Sequence, residues 1–245
     1  MIACKNVLNT RAIKVIIKMK NIYIGYDTRE DLAYQVSKFC IELNTNNINV
    51  VPLKLNELRK KGLYYRDHDQ LSSTEFTFSR FLVPVLNNYK GWALFCDSDI
   101  LFLEDINKLF KLIDDKYAVM CVQHNYTPKE GFKMDDKQQT IYPRKNWSSV
   151  VLWNCSHPSN KAITKNLVND SNITGKYLHR FSWLRDEEIG SIPHHWNWLV
   201  GWYQEPKDGK PKAIHYTEGG PWFENYRFCE YHKIWKDYLN KMMAK

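Results

Sequence analysis

The sequence predicts an α/β protein: a three-layer α/β/α sandwich around a mostly parallel central sheet. Three observations carry that expectation. The first 55 residues read strand, helix, strand, which requires a parallel pair joined by a right-handed crossover. "WALFCD" (Trp92–Asp97) is short and apolar on both faces, as a strand covered by helices on each side must be. Strands and helices then keep alternating as far as a C-terminal helix.

The elements follow in order. "NIYIGYDTRE" (Asn21–Glu30) is a strand running into a polar turn, and Arg29–Asn44 has helical apolar spacing at Leu32, Val36, Phe39 and Leu43. "NINVVPLKL" (Asn47–Leu55) is a β-branched strand. Ser72–Tyr89 is expected to be helical, opened by Ser72 and Glu75 as a capping box and bent at Pro84. Asp105–Ile113 is a short helix, Tyr117–His124 a strand, and residues 125 to 145 a polar loop. Asn146–Asn154 is a strand, Ser159–Asn169 a helix, Lys212–Tyr216 a last strand, and Asn225 to Met243 a closing helix.

Of the net charge of +8, five positive charges (Lys5, Arg11, Lys14, Lys18 and Lys20) lie in the first 20 residues, which contain no acid. Residues 1–20 therefore read as a basic extension, and 21–245 as one domain. The extension has three readings: a segment of little role, a basic amphipathic stretch touching a membrane surface, or a targeting peptide. No apolar stretch has the length of a membrane-spanning helix, and no secretory signal pattern is present. The expectation is a soluble, cytoplasmic protein with at most peripheral membrane contact and no nucleic-acid partner. The six cysteines form no CxxC pair, which argues against zinc and for reduced core thiols.

The chemistry concentrates at "CDSDI" (Cys96–Ile100). Asp97 and Asp99 are two apart, so in an extended chain they project together while Ser98 points away. Two adjacent carboxylates repel unless a cation joins them, and Mg²⁺ or Mn²⁺ takes oxygen ligands and bridges carboxylates to a diphosphate. A second such pair, Asp67 and Asp69, follows no apolar run and reads as a solvated loop.

"SRFLVPVLNNYKGWALFCDSDILF" (Ser79–Phe102) resembles the donor-binding segment of the GT-A nucleotide-sugar glycosyltransferases, close to the glycogenin and galactosyltransferase-like (family 8-like) group. Three further segments match in order: "NWSSVVLWN" (146–154), "RDEEIGSIPHHWNW" (185–198) and "IHYTEGGPWF" (214–223). The resemblance implies a Rossmann-like GT-A sandwich and a metal-dependent transfer of a hexose, glucose or galactose, from a UDP-sugar with retention. The acceptor would be a glycan, a lipid or another hydroxyl compound. It implies that Asp97, Asp99 and His215 hold the metal. Imidazole among the ligands favours Mn²⁺ over Mg²⁺. The donor-binding candidates are Tyr26, Asp27, Arg80, Asp97, Ser98, Asn146, Gly219 and Gly220. Asp186 and Glu187 are the candidates for chemistry at the anomeric carbon. The sequence departs from the pattern where Gly220 replaces a diphosphate-binding Lys and Glu187 replaces a Gln.

Several of these residues have structural alternatives. Asp27 could cap the next helix. Arg80 could be a solvated helix residue resting on Phe76. Asp186 and Glu187 could simply favour a helix N-terminus. The Trp cluster (Trp183, Trp196, Trp198, Trp202, Trp222) could stack on a sugar or fill the core. Two other functions compete: a two-metal nucleotidyltransferase or phosphoesterase, and a non-enzymatic basic nucleic-acid binder.

Overall fold

The structure is a computed structural model that describes residues 19–67, 72–125, 144–203 and 209–245. The basic arm up to residue 18, His68 and Asp69 of the second carboxylate pair, and most of the polar loop expected at 125–145 lie outside the described residues.

Nine strands are present among the described residues: β1 (Lys20–Gly25), β2 (Ile48–Leu53), β3 (Trp92–Cys96), β4 (Ile100–Phe102), β5 (Val119–Cys121), β6 (Val150–Asn154), β7 (Ile189–Ser191), β8 (Trp198–Leu199) and β9 (Ala213–His215). The α-helices are α1 (Asp31–Asn44), α2 (Leu55–Lys60), α3 (Val83–Leu86), α4 (Ile106–Phe110), α5 (Lys165–Asn169), α6 (Gly175–His179) and α7 (His232–Met243). Six strands form the central sheet in the order β2-β1-β3-β6-β5-β7, in which β6 alone runs against the rest. A second sheet has the order β4-β9-β8.

Strand alternation divides the core between the two faces of the central sheet. Ile22, Ile24, Leu94, Cys96, Leu152 and Met120 pack on one side with Tyr34 and Ile41 of α1. Tyr23, Ala93, Phe95, Val151, Trp153 and Val119 pack on the other with Phe76 and Phe81. This two-sided burial explains why "WALFC" is apolar throughout.

Four sequence expectations need correction. The helix Asp31–Asn44 exists, but Leu32 and Leu43 are exposed. Its buried positions are Ala33, Tyr34, Val36, Ser37, Cys40 and Ile41, because α1 is wedged between the central sheet, β4 and α7. Small residues fill the closest approach, where the Ser37 hydroxyl donates to the carbonyl of Ile100. The long helix expected at 72–89 is instead a set of turns, a 3-10 turn (Ser79–Leu82) and one turn of α3. Glu75 does not close a capping box: its carboxylate accepts from Thr28 Oγ1, and its N–H goes to Asp27. The helix expected at 159–169 is split into a 3-10 turn (Pro158–Ala162) and α5, which starts afresh at Thr164, whose side chain caps Leu167 N–H. The last helix starts late, at His232, after a left-handed Tyr231 (φ 61°). No described helix is long and apolar enough to cross a membrane.

Candidate active site

The site lies where β1, β3 and β5 end and β6 begins, the edge at which open α/β sheets bind ligands. Asp97-Ser98-Asp99 is the point at which the chain leaves the central sheet at β3 and enters the second sheet at β4. Backbone bonds hold both ends of this step: Asp97 N–H donates to Ser149 O (2.9 Å), and Tyr216 N–H donates to Asp99 O (3.0 Å). In the antiparallel β4–β9 ladder His215 lies opposite Ile100, which brings its ring beside Asp99.

Ligand atoms of Asp97, Asp99 and His215 all lie within 4.8 Å of one another, close enough for one cation. His215 Nε2 is 3.4 Å from Asp99 Oδ2. Asp99 Oδ1 is buried and has no hydrogen-bond partner among the described residues. Such an atom calls for an explanation, and a cation beside it is one. Two oxygen donors and one imidazole fit a divalent ion such as Mn²⁺.

Arg80 is not a solvated residue. Its guanidinium donates to Asp97 Oδ1 (2.8 Å) and to Ser148 O (3.1 Å), and lies over the rings of Phe76 and Phe95. Phe76 in turn covers Gly25 so closely that a Cβ there would collide with its ring. Ser98 faces away from the carboxylates, and its hydroxyl donates to Glu30 Oε2 (3.2 Å). Glu30 is buried; desolvation and the Asp99 and Asp27 charges push its pKa up to about 8.

Asp27 is fully buried and caps the 3-10 turn Thr28–Glu30. Burial raises its pKa, but hydrogen bonds from Arg29 and Glu75 and the Arg29 charge outweigh that and leave it lowered. Tyr26 donates to Asp31 (2.7 Å) and carries Lys54 over its ring.

The segment 144–149 ties the site together. Arg144 donates to the carbonyl of Arg180 and pairs with Asp186 at 2.5 Å. Asn146, left-handed at φ 62°, donates through Nδ2 to Thr217 Oγ1 (3.2 Å). The Ser148 hydroxyl meets His179 Nδ1 (2.7 Å), whose pKa falls to about 3 through burial and the Arg80 charge. Asp186 and Glu187 lie on an exposed 3-10 turn; Glu188 is the member of that turn which faces inward.

Gly219 has φ +136° and sits against the ring of Tyr226, 2.7 Å from where a Cβ would stand; Gly220 sits against Trp222 in the same way. The close neighbours of both glycines are thus aromatic rings of the chain itself. Trp196 and Trp198 are core residues, and Trp183 stacks on Trp153 (6.0 Å).

Sequence reasoning brought Asp97, Asp99 and His215 together and missed the residues behind them. Asn197 is fully buried and bonded to His215 Nδ1 (2.8 Å). Its signal was the Trp-Asn pair at 196–197, to which no role was given. Glu30, Ser148 and Ser149 carry no sequence signal beyond polar identity. His124 and His194 stand at the ends of β5 and β7 against Tyr203; burial and the neighbouring His215 and His194 lower the pKa of His124 to about 3.

No family model matches the sequence. Protein CDI of Arabidopsis thaliana is 55% identical over 225 residues, covering 90% of this chain and 85% of that protein. The chain belongs to the Protein CDI family. Among solved structures, the apo form of the glycosyltransferase GlyE of Streptococcus pneumoniae TIGR4 superposes with a TM-score of 0.62 at 15% identity, over 90% of this chain. The chain spans 60% of the length of GlyE. The galactosyltransferase LgtC, in complex with donor and acceptor sugar analogs, superposes with a TM-score of 0.52 at 11% identity, over 90% of this chain and 95% of LgtC. This member of the Protein CDI family thus has the GT-A fold, with the mostly parallel sheet the sequence predicts.

Proposed function

We propose that the protein is a metal-dependent glycosyltransferase that moves a hexose, glucose or galactose, from a UDP-sugar to a hydroxyl acceptor such as a glycan or lipid. The convergence of Asp97, Asp99 and His215, with Asp99 Oδ1 buried and unbonded among the described residues, carries this reading. A divalent cation, Mn²⁺ by preference, would neutralise the diphosphate leaving group.

The chain's own residues do the rest. Arg80 fixes Asp97 and adds positive charge behind the carboxylates. Asn146 is read as a contact for sugar hydroxyls, and Tyr26 and Asp27 as the floor of the nucleobase pocket. Gly219 and Gly220 are read as the turn whose backbone meets the phosphates, on the side away from the Tyr226 and Trp222 rings that fill their Cβ positions. Asp186 and Glu187 are read as the carboxylates near the anomeric carbon, where they favour oxocarbenium-like charge. Inversion would need one of them as a free base beside the acceptor. Retention belongs to this reading through the family resemblance, and the Asp186–Arg144 pair occupies only one of the two carboxylates. A cytoplasmic setting belongs to this reading, and the five described cysteines, all free, agree with it.

Calorimetric titration of UDP tests it. Binding is expected with Mn²⁺ and lost with EDTA or in Asp99→Ala, followed by UDP release from UDP-glucose or UDP-galactose once an acceptor is supplied. UDP binding that ignores the metal, or release of pyrophosphate from a nucleoside triphosphate, would point away from glycosyl transfer.

A further inference from the structure

We propose that Asn197 fixes the tautomer of His215, leaving Nε2 bare on the side of Asp99 where the cation is read to bind. The proposal rests on the metal reading above for its purpose, though not for its geometry.

The argument follows hydrogens from a group that cannot donate. The carbonyl oxygen of Asn146 only accepts. Ser149 Oγ lies 2.7 Å from it and donates to it, so the single hydroxyl proton is committed there. Ser149 Oγ must then accept from its other neighbour, Asn197 Nδ2, at 2.8 Å. The same Nδ2 also lies 3.4 Å from the Asn146 carbonyl, where an amide oxygen would face another acceptor. The amide of Asn197 therefore has one orientation, with Oδ1 toward His215 Nδ1 at 2.8 Å. An amide oxygen only accepts, so the imidazole proton sits on Nδ1. The lone pair of the neutral ring is then on Nε2, which lies 3.4 Å from Asp99 Oδ2. Two lone pairs facing each other at that distance suit a cation between them.

Burial makes the relay effective. Asn197 is fully buried and His215 nearly so, so water does not compete for these bonds. The relay starts at Asn146, whose side chain is bonded to Thr217, two residues beyond His215. A residue read as a sugar contact is thus joined through Ser149 and Asn197 to a residue read as a metal ligand. Asn197 itself contacts neither the sugar nor the cation in this reading, and acts through His215 as a positioning residue.

The test is nitrogen NMR on metal-free protein labelled with ¹⁵N-histidine, at alkaline pH where imidazole is neutral. The His215 signals are assigned by their loss in His215→Gln. The expected wild-type result is a single tautomer with the proton on Nδ1. In Asn197→Leu a proton on Nε2 should appear, and Mn²⁺ affinity should fall about 10- to 100-fold. Asn197→Asp keeps an acceptor oxygen toward His215, with Ser149 Oγ turning its proton from the Asn146 carbonyl to the new carboxylate, and should restore the Nδ1–H tautomer and most of the affinity. A wild-type His215 protonated on Nε2 overturns the proposal without Asn197→Leu having to fold. So does an Asn197→Leu protein whose tautomer and Mn²⁺ affinity are unchanged. Wild type with the Nδ1–H tautomer but no Mn²⁺ affinity would uphold the relay and sink the metal reading instead.

Discussion

Two of the arginine–aspartate pairs at this site, Arg80–Asp97 and Arg144–Asp186, differ in burial more than in chemistry. Arg80 and Asp97 meet at 2.8 Å with side chains 7% and 14% exposed. Arg144 and Asp186 meet at 2.5 Å, but Asp186 is 81% exposed. The first pair is locked where β3 leaves the central sheet, over aromatic rings and beside the Ser148 carbonyl. The second joins two irregular segments at the surface. The contrast separates a region that is architecture before any ligand arrives from one whose carboxylate can change partners at small cost.

That contrast can be broken experimentally, and the largest effect belongs to the buried side. Asp99→Ala should lower Mn²⁺ affinity by more than about 100-fold, beyond the range typical of residues behind a metal, as read by electron paramagnetic resonance titration. Arg80→Met should come next. It strands Asp97 beside Asp99 and should destabilise the fold by about 3 kcal/mol in urea denaturation. Mn²⁺ should restore part of that loss, and no recovery would mean that the cation does not reach Asp97.

Glu30 offers a pH test on the same buried side. Its carboxyl has a pKa of about 8 in the folded protein against 4.5 ordinarily. The folded state keeps a proton that the unfolded chain has released, so this group's contribution to stability is full below pH 4.5 and declines as pH rises toward about 8. Glu30→Gln should match wild type in acid and become the more stable of the two toward about pH 8 in metal-free protein. Parallel stability curves would contradict the burial argument. The smallest effect is expected at the surface: Asp186→Asn should change stability by less than about 1 kcal/mol. A larger loss would mean that the two pairs are not different in kind.

The same division marks what was legible in the sequence. The strand-borne half could be read because strand chemistry repeats every two residues: "WALFC" and "NIYIG" gave the sheet, and Asp97 and Asp99 lay at the end of one of them. His215 lay at the end of an expected strand, but its metal role came from the resemblance of "IHYTEGGPWF" and not from periodicity. The expected helix at 72–89 failed because Thr28 and Asp27, outside the segment, take the Glu75 groups a capping box would use, and because Pro84 stands in the first turn of a new helix. The α1 face was misread because a helix packed on three sides has no single apolar stripe: Ser37 and Cys40 are inside while Leu32 and Leu43 are outside. Asn197 escaped notice because its role depends on Ser149 and His215, which are remote from it in sequence. Polar residues that serve other polar residues leave no periodic trace.

The most direct test of the central claim is anomalous X-ray scattering at the manganese edge, from crystals grown with Mn²⁺ and UDP. The account predicts a peak coordinated by Asp99 and His215 Nε2, with Asp97 beside it and the diphosphate on its open side. A peak elsewhere, or UDP bound at the end of β3 with no manganese between it and these three residues, would contradict it.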